Sequence, residues 1–182
     1  EVYQLAIGDK RGVVPLYVRN NRNLSSMRQA ESHEESVITT RKIDVEVITL
    51  DDFLRNKQYP NIIRMDVEGY EYQIIKGMKK TLQKEFPLTL FIEFHFNILD
   101  KQESIEILQT LKYAGFEIGD VTLEPWARGH LEHKFLWSIA CFLIRKSRGV
   151  PVGHLNLTID EIASNTAILN GDWESLEIYF KR

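Results

Sequence analysis

The chain has 182 residues, 43% hydrophobic and 27% charged, with a formal net charge of −3. This is the balance of a globular protein of one domain, at most with a small addition, and it carries no basic footprint for nucleic acid. The single cysteine, Cys141, excludes an intrachain disulfide and a cysteine-based zinc site, and no run approaches the roughly 18 apolar residues of a membrane span.

Val2–Ile7 reads as a strand with no leader before it, so the chain is expected to begin inside a fold. Gly8–Gly12 is a turn, and Val13–Val18 a second strand that Pro15 confines to a sheet edge. Arg19–Thr40 is polar with few apolar anchors; it is expected to be a loop, and Asn23–Ser26 within it could help line a pocket. Ile43–Ile48 alternates apolar and charged residues, as a half-exposed strand does. Thr49 then caps a short helix, with Asp52 in the capping-box position, and Pro60 stops it.

Ile62–Met65 is a short apolar run of the kind buried in parallel sheets. Glu71–Gln83 is a helix with Ile74, Ile75, Met78 and Leu82 on one face. Its interior Gly77 costs roughly 1 kcal/mol against alanine, which implies close packing on a sheet. Leu88–Glu93 is the next buried strand, and Gln102–Tyr113 an amphipathic helix that Gly115 ends. Phe116–Val121 is a strand and Leu123–Lys134 a loop holding Trp126, Arg128, His130 and His133. Phe135–Ile144 is an apolar strand, expected to close an antiparallel hairpin at the sheet edge. The order from Ile62 onward argues a doubly wound α/β sheet. Residues 1–145 are read as that sheet domain. Residues 146–182 are read as a small appendage, with a capping box at Thr158–Glu161 and a short strand at Glu177–Phe180.

Two of the buried strands end in titratable groups. Asp66, Glu68, Gly69 and Glu71 follow the first, and Glu93 and His95 close the second. Open α/β sheets place ligands at the carboxyl ends of neighbouring strands, so one shared pocket is expected. His95 is the best general base, because imidazole titrates near neutrality. Glu93 lies two residues before it, on the same strand face, and could orient it or take the proton. Glu71 reads as a helix-start carboxylate that favours the helix dipole. Asp66, Glu68, Glu93 and His95 also suit a divalent cation.

The elements Val47-x-Thr49-Leu50-Asp51-Asp52-Phe53, Ile63-x-x-Asp66-Val67-Glu68-Gly69-x-Glu71, Gly77 and Ile92-Glu93-x-His95 resemble FkbM-type methyltransferases. Ala6-Ile7-Gly8-Asp9 with Gly12 is similar to the segment after that family's third strand. The resemblance covers roughly residues 2–145. It implies a Rossmann-like class I methyltransferase sheet with helices on both faces and an antiparallel final strand. It also implies S-adenosylmethionine as cofactor and O-methylation of a sugar or another small hydroxylated metabolite. By the same resemblance Asp66, Ile7, Gly8 and Asp9 lie beside the cofactor, while Glu68, Glu93 and His95 face the acceptor. The ten glycines form no G-x-G pattern, so the first two strands and the first helix of the family, with their glycine-rich loop, are expected to be missing. An unpaired edge near Val2–Ile7 would then favour self-association into a homo-oligomer. The lone cysteine fits a reducing, cytoplasmic setting. Two other readings stand: a metal-dependent hydrolase built on Asp66, Glu68, Glu93 and His95, and a non-catalytic interaction module.

Overall fold

The computed structural model describes residues 1–29, 38–122, 154–171 and 175–182. Their strands form two sheets. The first has β1 (Ala6–Ile7), β2 (Gly12–Arg19) and β3 (Thr39–Ile48) in the order β1–β3–β2. β2 and β3 are antiparallel from Gly12↔Val47 to Arg19↔Thr39, and β1 runs parallel to the end of β3. Pro15 therefore sits on an edge strand, where its missing N–H costs little. β3 begins four residues before the alternating stretch that starts at Ile43. Thr39–Lys42 are exposed, so pairing with β2 rather than burial extends the strand there.

The second sheet has β4 (Ile62–Met65), β5 (Thr89–Phe94), β6 (Glu117–Thr122), β7 (His154–Leu155) and β8 (Leu176–Lys181), ordered β4–β5–β8–β6–β7. β4 and β5 are parallel. β8 is antiparallel to both its neighbours, β5 and β6. The sheet is thus mixed, and the final strand is antiparallel as expected, but the segment that supplies it differs. Residues 176–181, read from the sequence as part of an appendage, lie in the middle of the sheet, so no boundary of the sheet falls at 145. Which strand lies between which is a long-range choice that a local apolar pattern does not encode. The strand expected at Phe135–Ile144 lies outside the described residues.

Burial alternates along the central strands. Leu90, Ile92 and Phe94 of β5 and Leu176, Ile178 and Phe180 of β8 are fully buried on one face. That face packs on Ile74 and Ile75 of α2 (Glu71–Lys76), Leu82 of α3 (Lys79–Leu82) and Ile107, Leu108 and Leu111 of α4 (Lys101–Tyr113). Ile162 of α5 (Ile159–Ser164) and Ile168 of α6 (Thr166–Leu169) complete it. Each such side chain contributes about 1.5–3 kcal/mol of transfer free energy. The other face carries Thr89, Phe91 and Glu93, which are only half-buried. Among the described residues the helices therefore cover one face of this sheet, where two were expected.

The single helix expected over Glu71–Gln83 is broken after Lys76 into α2 and α3. The backbone leaves the helical region at Met78, and at Gly77 beside it a Cβ would stand 1.9 Å from the Gly8 carbonyl oxygen. The exit of β1 lies directly on the helix, and only glycine permits it. Asp51, in α1 (Leu50–Phe53), then caps α3. Its carboxylate accepts from the Lys80 N–H at 2.9 Å and from the Thr81 N–H and hydroxyl at 2.8 Å. Thr49 caps α1 as expected, accepting from the Asp52 N–H. Among the described residues no helix is long and apolar enough to cross a membrane.

Candidate active site

The parallel pairing of Met65 with Ile92 sets the carboxyl ends of β4 and β5 side by side. The residues that follow each strand therefore share one space. After Met65 the chain turns sharply, with Glu68 at φ 50° and Gly69 at φ 88°. A left-handed conformation costs a non-glycine residue about 1–2 kcal/mol, and Glu68 alone among the described non-glycine residues adopts it. The turn starts α2 so that its first residue, Glu71, points inward with no exposed surface.

Glu71 meets His95 there. His95 is 6% exposed, and its Nδ1 lies 2.7 Å from Glu71 Oε1, which also accepts from the Gly69 N–H at 3.3 Å. An ionised carboxylate only accepts, so Nδ1 carries the proton of this contact and Nε2 is left for the other side. Nε2 lies 3.6 Å from Glu68 Oε2 and 3.8 Å from Glu93 Oε1. Ser175 donates to the same Glu93 oxygen at 3.4 Å. Among the described residues Glu71 Oε2 has no hydrogen-bond partner.

Burial works against the charged imidazole. The Glu71 hydrogen bond and the charges of Glu71, Glu68 and Glu93 together outweigh it and hold the ring's pKa above its ordinary value. Burial also raises the Glu68 carboxyl, helped by Asp66 and Glu93 and opposed by His95 and the buried Arg19. Asp66 is more open, with 35% of its side chain exposed, and pairs with Arg64 at 3.2 Å. One ligand atom from each of Asp66, Glu68 and His95 lies within 4.8 Å of the others, a donor set that suits a divalent cation.

Ile7, Gly8 and Asp9 run from the end of β1 into its exit turn. Ile7 borders the core, Gly8 packs on Val47, Tyr70 and Gly77, and Asp9 pairs with Lys76 at 3.9 Å. Among the described residues no hydrogen bond or ion pair joins them to the His95 cluster; the Tyr70 ring stands beside Gly8. Burial, and then the Asp9 charge, raises the Tyr70 hydroxyl. The structure thus brings together Asp66, Glu68, Glu93 and His95. Trp126, Arg128, His130 and His133 lie outside the described residues.

Glu71 itself is the residue that sequence reasoning assigned to the helix dipole. The Glu68–Gly69 turn aims it into the protein, onto His95. Ser26 and Arg28 were also missed as contacts of this turn. Ser26 donates to the Glu68 carbonyl at 2.7 Å, and Arg28 to the Gly69 carbonyl at 3.3 Å.

Adenosine presents hydroxyl and amino donors, and a half-open carboxylate such as Asp66 matches them. Among the described glycines only Gly12 has nothing within 4 Å of a Cβ. A Cβ on Gly8, Gly69, Gly77, Gly119 or Gly171 would meet other protein atoms, at 2.7, 2.4, 1.9, 2.4 and 2.5 Å respectively. For such a cofactor the described residues offer Asp66 as a half-open acceptor and no glycine-lined loop.

The sequence model of the methyltransferase FkbM domain matches residues 1–118. No curated protein and no solved structure matches the chain. The matched span runs from β1 through α4 and includes every residue of the Asp66–His95 cluster. With both the strand-end carboxylates and the histidine inside it, the chain belongs to the FkbM methyltransferase domain family.

Proposed function

We propose that this domain transfers the methyl group of S-adenosylmethionine to a hydroxyl of a small acceptor, a sugar or another hydroxylated metabolite. The family membership supports methyl transfer. The parallel β4–β5 pair with the chain's last strand antiparallel beside it supports a Rossmann-like sheet. The observation that carries the chemistry is the buried Glu71–His95 hydrogen bond of 2.7 Å, which directs Nε2 at a space bordered by Glu68 and Glu93.

When bound, the cofactor supplies an electrophilic methyl on a sulfonium. This chain's residues handle the acceptor. Glu71 fixes the imidazole tautomer, so Nε2 keeps its lone pair. A hydroxyl held at Nε2 passes its proton there as its oxygen attacks, and Glu71, Glu68 and Glu93 stabilise the imidazolium that results. A positioned base of this kind contributes typically about 10²–10⁴-fold. Glu68 and Glu93 accept hydrogen bonds from neighbouring hydroxyls of the acceptor, and Asp66 accepts from the adenosine. The reading of Ile7, Gly8 and Asp9 as cofactor contacts rests on the family register alone.

A divalent cation on Asp66, Glu68 and His95 is the second reading, favoured by their mutual proximity within 4.8 Å. It would acidify the hydroxyl in place of the imidazole. The test is transfer from isotopically labelled S-adenosylmethionine to a panel of small polyols and sugars, with and without EDTA. Labelled ether product that persists in EDTA is the expected result. Product lost in EDTA and restored by Mn²⁺ or Mg²⁺ moves the chemistry to the cation, and label found only on nitrogen or sulfur overturns the hydroxyl reading.

A further inference from the structure

The described part of the β2–β3 connection, residues 20–29 and 38, reaches the site, and none of these residues is among its titratable groups. Ser26 is 2% exposed. Its backbone pairs both ways with Tyr17 of β2, at 2.8 and 3.3 Å. Its hydroxyl donates to the Glu68 carbonyl at 2.7 Å and accepts from the Arg28 N–H at 3.0 Å. Arg28 donates from Nη1 to the Gly69 carbonyl at 3.3 Å and from Nη2 to Glu103 at 2.7 Å. Glu103 also closes the capping box of α4 with the Asp100 N–H. Arg19 is 4% exposed and donates to the Arg28 carbonyl at 3.5 Å. Two consecutive carbonyls of one left-handed turn are thus held by donors from a segment 41 and 42 residues away.

We infer that Ser26 and Arg28 are positioning residues that clamp the Glu68–Gly69 turn and so fix the Glu68 carboxylate against His95. A lone non-glycine residue at positive φ persists only when its surroundings hold it there. Without the clamp, Glu68 relaxes toward the ordinary helical or extended region, and its carboxylate leaves the 3.6 Å station beside Nε2. The same strap ties the three-stranded sheet and α4 to the turn through Tyr17 and Glu103. The groups that face His95 are Glu71 from α2, Glu68 from the turn and Glu93 from β5, with Asp66 and Arg19 beside Glu68. Of these, Glu68 sits in the clamped turn, Glu71 is tied to it through the Gly69 N–H, and Arg19 touches the strap at the Arg28 carbonyl.

The role rests on the methyltransferase reading for its purpose, but its test does not. The His95 imidazole is titrated by NMR in EDTA, without cofactor or acceptor, in Ser26→Ala, Ser26→Thr and Arg28→Gln, with Ser164→Ala as a distant control. Loss of the clamp lowers the His95 midpoint in Ser26→Ala and Arg28→Gln. Ser26→Thr, which keeps the hydroxyl, and Ser164→Ala leave it at the wild-type value. Arg28→Gln alters a side chain that is 30% exposed and decides the matter if Ser26→Ala does not fold. Where transfer is measured, kcat falls by up to about a hundredfold with a smaller change in KM, as expected for a displacement near 1 Å. A wild-type His95 midpoint in folded Ser26→Ala or Arg28→Gln overturns the inference, whether or not the domain transfers methyl groups.

Discussion

Replacing Glu71 by glutamine removes one charge and almost no volume. The oxygen that accepts from His95 Nδ1 at 2.7 Å can remain, because the amide oxygen of glutamine takes its place. What is lost is the charge assistance of that bond. Hydrogen bonds to charged groups contribute about 1.5–3 kcal/mol against about 0.5–1.5 for neutral ones, a difference of about 1–1.5 kcal/mol. At about 1.4 kcal/mol per factor of ten, the proton affinity of the ring falls roughly five- to tenfold. The effect on folding is smaller than that figure. Glu71 is fully buried and its Oε2 has no hydrogen-bond partner among the described residues, so the wild type already carries a desolvated charge that glutamine relieves. The new amide N–H₂ in that position is in turn an unmatched donor, at about 1–3 kcal/mol. These terms oppose each other, and Glu71→Gln is expected to fold. NMR titration of His95, assigned by its loss in His95→Gln, reads the result directly. A downward move of the midpoint is expected. An unchanged or raised midpoint would refute the claim that Glu71 is the charge that holds the His95 proton.

Stability should fall as pH rises. His95 has a folded pKa above its unfolded value near 6.5, so its contribution is complete below that pH and is lost as pH climbs through the folded value. Glu68, raised from about 4.5, binds its proton more tightly when folded and acts in the same direction. Urea midpoints for wild type and His95→Gln should therefore converge toward high pH; parallel curves would contradict this. Phe180→Ala should cost about 3–5 kcal/mol by urea unfolding, because Phe180 is fully buried on β8 between β5 and β6. A loss below 1 kcal/mol, the scale of surface changes, would return residues 176–181 to the periphery. Gly77→Ala should cost about 1–3 kcal/mol or more, since its Cβ would stand 1.9 Å from the Gly8 oxygen. A wild-type melting temperature would show that β1 does not lie on that helix.

Local chemistry was readable from the sequence where local forces decide. The capping serine-like signals at Thr49 and Thr158 start helices as expected, accepting from the Asp52 and Glu161 N–H groups. The apolar face of the helix over Gln102–Tyr113 is buried as its spacing predicts, at Ile107, Leu108 and Leu111. Strands ending in Asp66 and His95 do converge, because parallel neighbours end at the same level. The misses are long-range. Leu176–Lys181 reads as an isolated short strand until its partners are known. Gly77 was expected to pack closely, but on a sheet face; that it packs on the Gly8 carbonyl depends on where β1 passes. Glu71 reads as a helix-start carboxylate, and nothing in its neighbourhood reveals that Glu68 adopts a positive φ and turns it onto His95. Ser26 and Arg28 lie in a polar stretch indistinguishable in composition from a surface loop, and the pocket role considered for Asn23–Ser26 did not specify a backbone clamp.

The central claim is that His95, held by Glu71, takes the proton of the acceptor hydroxyl. Single-turnover methyl transfer measured against pH, beside the NMR titration of His95 in the same protein, tests it most directly. The account predicts a rate that rises with pH through one ionisation at the His95 midpoint, a limb that moves down in pH in Glu71→Gln and disappears in His95→Gln. A limb that stays in place in both variants would contradict it.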